Sequence, residues 1–193
     1  MNPPVYPDPI EILNHFYREE KELLALLLKH SEQVKEKALQ ILKSSGLQLD
    51  TQLVSTGAML HDTGILRCHA PGILCHGKLP YIAHGITGAE MLRKYAETCG
   101  MDLEPFARIC ERHTGSGLTA EEIRHSGLPL PEQDLLPETP EEKLICLADK
   151  FFSKSGDMAE KNFTAVRRSM EKFGPEPLVR FDALCREFKL DIP

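Results

Sequence analysis

Apolar residues recur at three- and four-residue intervals along most of the chain, the period of an amphipathic helix, and no segment alternates convincingly as a half-buried strand. The pattern predicts helices over about 8–17, 20–45, 50–62, 81–98, 104–114, 119–125, 140–154, 159–173 and 176–188. Gly46 is a natural stop for the second helix, and Ser31-Glu32-Gln33 reads as a fresh start that divides it near His30. Asp50 or Thr51 caps the third helix, and Gly64 ends it. Pro71, Gly72, Gly77 and Pro80 predict a loop over about 63–80, and a second connection runs from Pro129 to Pro140. The expected fold is all-α: a single-domain helical bundle spanning residues 1–193. Its last part, about 156–193, would be a helical cover or the face of a homodimer.

Certain polar residues break these apolar stripes. His30 lies on the face of Leu23, Leu27, Val34 and Ile41. Val54 and Ala58 lead to His61, with Asp62 beside it; Tyr81, Gly88, Met91 and Tyr95 share a face with His84. Phe106, Ile109 and Cys110 end in His113, and Ile145, Cys146 and Phe152 flank Asp149. One inward histidine is ordinarily a hydrogen-bonded core residue, but here five helices each turn such a group inward. A buried carboxylate stripped of its partner costs about 3–5 kcal/mol, so a cation is required. Lys and Arg fall mostly on the opposite helix faces, which leaves a metal. Imidazole nitrogen and carboxylate oxygen suit Fe, Mn, Co, Ni or Zn. Six ligands exceed the needs of one tetrahedral ion and suit two divalent ions sharing a carboxylate, a net positive centre that attracts phosphate and readies a nucleophile at neutral pH.

At 193 residues with 41% hydrophobic and 27% charged positions, the chain is long enough and balanced enough to bury a core. A formal net charge of −6 disfavours a nucleic-acid polymer as partner while leaving room for a small anion in a local positive site. The longest apolar run, Leu23–Leu28, is far too short to span a membrane, and the N-terminal residues lack a signal-peptide pattern. Six cysteines without a C-x-x-C motif read as free thiols of a cytoplasmic protein.

The inward groups stand in the order H…HD…H…H…D, within HSEQVKEKA, GAMLHDTGI, HGITGAEML, ERHTG and LICLADKF. This order resembles the HD-domain superfamily of metal-dependent phosphohydrolases, over about residues 25–155. The third and fourth elements are partly similar to the symmetrical diadenosine tetraphosphatase family, which acts on dinucleoside polyphosphates. The resemblance implies that His30, His61, Asp62 and Asp149 hold one metal. Asp62 would bridge to a second, completed by His84 and His113, and would orient a hydroxide for in-line attack on phosphorus. The implied substrate is a small phosphorylated molecule, nucleotide-like, cleaved at a phosphoester or phosphoanhydride bond. Relatives with the same six ligands include mixed-valent di-iron oxygenases, and a catalytically inactive nucleotide sensor would keep the fold as well.

Two departures from the family pattern stand out. Many members carry Lys shortly after the doublet, where this chain has Ile65, so Arg67 or Lys78 would have to replace that phosphate contact. No His-His pair stands near His113 and no Gly-Tyr-Pro motif is present, which argues against the cyclic-di-GMP branch. Lys150, next to Asp149, is a further candidate for substrate phosphate. Cys68-His69 and Cys75-His76 match no standard zinc spacing; they read as a lid-like loop that offers His69 or His76 to substrate.

Overall fold

The amphipathic stripes become helices because each can bury its apolar face against another. A computed structural model describes residues 6–190. The helices are α1 (Pro9–Phe16), α2 (Lys21–Ser45), α3 (Thr51–Leu60), α4 (His84–Cys99), α5 (Glu104–Arg112), α6 (Ala120–His125), α7 (Pro140–Asp149), α8 (Phe163–Glu171) and α9 (Pro175–Glu187). The fold is mostly all-α, as the periodicity predicts. Asp50 caps α3 by accepting from the backbone N–H groups of Gln52 and Leu53. Thr139 and Glu142 form a capping box at the start of α7. Gly46, in the left-handed region at φ 70°, ends α2.

Three expectations are corrected. α2 runs unbroken through His30: Ser31 is buried, so its hydroxyl faces the core instead of capping a new helix. α7 stops at Asp149 rather than about 154, and α8 starts only where Asn162 caps it by accepting from Ala165 N–H. The 63–80 segment is more than a loop. It holds 3-10 turns at Thr63–Arg67 and Pro71–Ile73 and the strands β1 (Cys68–Ala70), β2 (Cys75–His76) and β3 (Leu79–Pro80), and a further 3-10 turn at Tyr81–Ala83 leads from it into α4. The sheet order is β2-β1-β3, with His69 opposite His76 in the antiparallel pair and Cys68 opposite Leu79 in the parallel one. Strands of two or three residues are too short for an alternating pattern to register.

Buried side chains from every helix except α6 form one cluster, including Leu13, Leu27, Leu60, Ile109, Leu147 and Phe181. Val166, Met170, Phe181 and Phe188 join α8 and α9 to it. Close backbone contacts then bring the inward polar groups together. A Cβ on Gly64 would stand 2.0 Å from His84 O and 2.4 Å from Gly88 N, so only glycine lets the turn after the doublet lie on α4. A Cβ on Gly85 would meet Cys110 O at 2.5 Å, which sets the approach of α4 to α5. No described helix is long and apolar enough to cross a membrane. All six cysteines are free thiols.

Candidate metal centre

Three of the four inward histidines are oriented by the same local device. His61 Nδ1 lies 2.7 Å from Ala58 O, His84 Nδ1 2.7 Å from Tyr81 O, and His113 Nδ1 2.7 Å from Cys110 O. A carbonyl oxygen only accepts, so each Nδ1 carries a proton and donates it. His61 and His113 sit at the C-terminal ends of α3 and α5, where the last-turn carbonyls lack helical partners. Each ring therefore turns Nε2 toward the interior. His84 is pushed down to about 3 by burial and by the neighbouring His113, and burial lowers His113 as well, so both rings are neutral. Their Nε2 atoms nevertheless face each other at 3.1 Å. Two bare lone pairs at that separation, with no proton between them, call for a cation.

The carboxylates complete the picture. Asp62 is fully buried, and its two oxygens serve different neighbours. Oδ2 lies 2.9 Å from His61 Nε2 and 3.1 Å from His30 Nε2, whereas Oδ1 lies 3.4 Å from His113 Nε2 and 3.5 Å from His84 Nε2. Asp149 Oδ1 is 3.0 Å from His30 Nε2 and 3.5 Å from His61 Nε2. Despite this proximity, His61 Nε2 and both Asp62 oxygens make no hydrogen bond of acceptable geometry. Close donors that miss one another's hydrogens but converge on a point are what a metal site presents. Ligand atoms around an ion at about 2.1 Å stand about 3.0–3.4 Å apart, the spacing seen here. The groups fall into two sets, His30, His61, Asp62 and Asp149 on one side and Asp62, His84 and His113 on the other, each geometrically able to hold an ion. The donor set thus fits the metal that the sequence calls for.

Electrostatics agree. Burial alone would raise the Asp62 carboxyl, but the charges of His61 and Lys154 hold it well below the usual carboxylate range. Asp149 is likewise held low against its burial, chiefly by Lys150. For His61, burial pushes downward; Asp62 and Asp149 more than offset it and bring the ring to about 9.

The six residues singled out in the sequence meet in one place, and Lys150 joins them with Nζ 2.8 Å from Asp149 Oδ2 and 3.1 Å from His113 O. Arg67, Lys78 and His76 do not: all three are exposed, with no side-chain contact to the six among the described residues. Ile65 is fully buried in the core. Strand alternation turns Cys68 and Cys75 inward and His69 and His76 outward, so the paired Cys-His dipeptides cannot share an ion. The sequence reading missed Lys154, whose Nζ is 2.5 Å from Asp62 Oδ2. It also missed Tyr81, whose ring stacks on His84 at 4.8 Å between centroids. The signal for Lys154 was its proximity to Asp149 along the chain, hidden by extending α7 to residue 154.

The HD domain model matches residues 27–153, two-thirds of the chain and all six inward groups. The chain belongs to the HD-domain family. Among curated relatives, an uncharacterized protein of Methanocaldococcus jannaschii is 43% identical over 119 residues, which is 62% of this chain and 59% of that protein. A tRNA (cytidine(56)-2'-O)-methyltransferase of Picrophilus torridus is 38% identical over 128 residues, 66% of this chain but 32% of the methyltransferase. This HD chain therefore spans only part of the relatives it matches, and about a third of the methyltransferase. Among solved structures, the HD domain of the L. monocytogenes phosphodiesterase PgpH, in complex with Cyclic-di-AMP, superposes with a TM-score of 0.51 at 18% identity, covering 95% of this chain and 88% of that one. At that identity the likeness establishes the shared HD fold.

Proposed function

We propose that this protein is a metal-dependent phosphohydrolase that cleaves a phosphoester or phosphoanhydride bond of a nucleotide-like substrate. The observation that carries the reading is the split allegiance of Asp62, one oxygen toward His30 and His61 and the other toward His84 and His113. His30, His61, Asp62 and Asp149 would hold one divalent ion, and Asp62, His84 and His113 a second. Fe, Mn, Co, Ni and Zn all suit these donors. When bound, such ions polarise a phosphoryl oxygen and make a water acidic enough to ionise near neutral pH.

The chain's own residues do the rest. The carbonyls of Ala58, Tyr81 and Cys110 fix the three ring orientations, so no reorganisation is needed as charge develops. Lys150 steadies Asp149 and the backbone at His113, and its ammonium adds positive potential beside the centre. A largely apolar cavity of about 290 Å³, lined in part by Ile82, Thr114, Leu118, Met170 and Phe173, adjoins the segments that carry His84 and His113. It suits the base or another apolar part of the substrate. The complex of the PgpH HD domain with Cyclic-di-AMP supports the nucleotide reading by analogy. Six free thiols fit a reducing compartment such as the cytoplasm.

The test is phosphate release from a nucleotide panel by protein loaded with Mn²⁺, Co²⁺ or Zn²⁺ under anaerobic conditions. Wild-type protein should turn over at least one nucleotide, and Asp62→Ala should lower that rate by about a thousandfold or more. Full activity in Asp62→Ala overturns the reading. So does dioxygen consumption by the iron-loaded protein without any phosphate release, the behaviour of an oxygenase, or tight nucleotide binding without turnover, the behaviour of a sensor.

A further inference from the structure

Lys154 lies in the irregular segment between α7 and α8, yet its side chain is only 10% exposed and its Nζ stands 2.5 Å from Asp62 Oδ2. That oxygen is the one shared with His30 and His61. The ammonium therefore sits against the oxygen that a metal in the first set needs. An ammonium and a metal ion on one carboxylate oxygen would be like charges a few ångströms apart in a site with little water, and they repel. Lys154 has somewhere to go. Its four-carbon stem is flexible, and it stands on a stretch where Ser155, Gly156 and Asp157 are exposed. Among the described residues it has no ion-pair partner besides Asp62; Asp149 Oδ2 pairs with Lys150. An ammonium displaced from Asp62 needs a new anion, and an anion bound on the centre would provide one.

We propose that Lys154 is a movable cation: it holds Asp62 in the metal-free protein, releases it when metal binds, and then takes a phosphoryl oxygen of the substrate. This rests on the phosphohydrolase reading and adds to it a competition between a lysine and the metal. The competition shows in binding, with or without turnover.

The experiment uses the full chain, stripped of metal, as wild type, Lys154→Met and Lys154→Arg. Mn²⁺ is titrated by calorimetry, and inorganic phosphate is then titrated into the Mn²⁺-loaded proteins. Lys154→Met should bind Mn²⁺ at least tenfold more tightly than wild type, since its competitor is gone; tenfold corresponds to about 1.4 kcal/mol. The same variant should bind phosphate at least tenfold more weakly, and Lys154→Arg, which keeps the charge, should recover most of the phosphate affinity. Circular dichroism checks folding, and Lys154→Gln replaces Met if that variant is unfolded. Unchanged or weakened Mn²⁺ affinity in the neutral variant overturns the proposal, as does unchanged phosphate affinity. Failure of the wild-type protein to bind Mn²⁺ overturns instead the metal reading beneath it.

Discussion

Metal loading should displace a proton from His61, and the size of the effect follows from its surroundings. The ring is fully buried, which favours the neutral form, but Asp62 Oδ2 at 2.9 Å and Asp149 Oδ1 at 3.5 Å bring it to about 9. Its Nδ1 proton is committed to Ala58 O, so the proton to be lost is the one on Nε2, the atom a metal needs. At pH 7 the ring lies about two units below its midpoint, so a metal must displace its Nε2 proton, which handicaps metal affinity by about a hundredfold. The sign is set by competition: protons and metal share one site, so affinity rises with pH, about tenfold per unit, and levels off above about 9. The low values of Asp62, Asp149 and His84 mean that these groups release none in this range. Calorimetry of Mn²⁺ binding in two buffers of different ionisation enthalpy counts the protons. At least one should be released at pH 7, and His61's should vanish well above pH 9. No release at pH 7, or an affinity flat between pH 7 and 9, would refute the assignment of His61 as a ligand.

Two further outcomes concern the scaffold. Gly64→Ala places a methyl group 2.0 Å from His84 O; α4 must move, costing about 3 kcal/mol or more, visible as a lower melting temperature together with weaker metal binding. An unchanged melting temperature would contradict the close approach. Tyr17→Phe removes the hydroxyl that donates to Thr63 O at 2.8 Å and accepts from Leu66 N–H at 3.3 Å, leaving buried backbone groups unpaired. Chemical denaturation should show a loss of about 1–3 kcal/mol.

The inward ligands were legible because helical periodicity shows which face a residue occupies, and His30, His84 and Asp149 each interrupt an otherwise apolar stripe. Their convergence on Asp62 was not written in any one helix; it depends on contacts such as Gly64 against α4 and Gly85 against Cys110 O. The short strands escaped notice because Cys68–Ala70 and Cys75–His76 are defined by pairing across a turn rather than by their own pattern. Lys154 was missed for a related reason. Beyond the end of α7 the chain turns, so helical spacing assigns Lys154 a direction it does not take. Ser31 illustrates the opposite error, a good capping residue overruled by the core around it.

The carbonyl that aims each of three imidazoles lies only three residues before it. Aim is thus a property of short stretches of chain, settled as each helix end forms and independent of what later fills the space between them. A frame built this way would accept any of the first-row divalent ions without having to be reshaped. On the metal-dependent reading, the element it would hold is then governed more by what the environment supplies than by any preference of the cage.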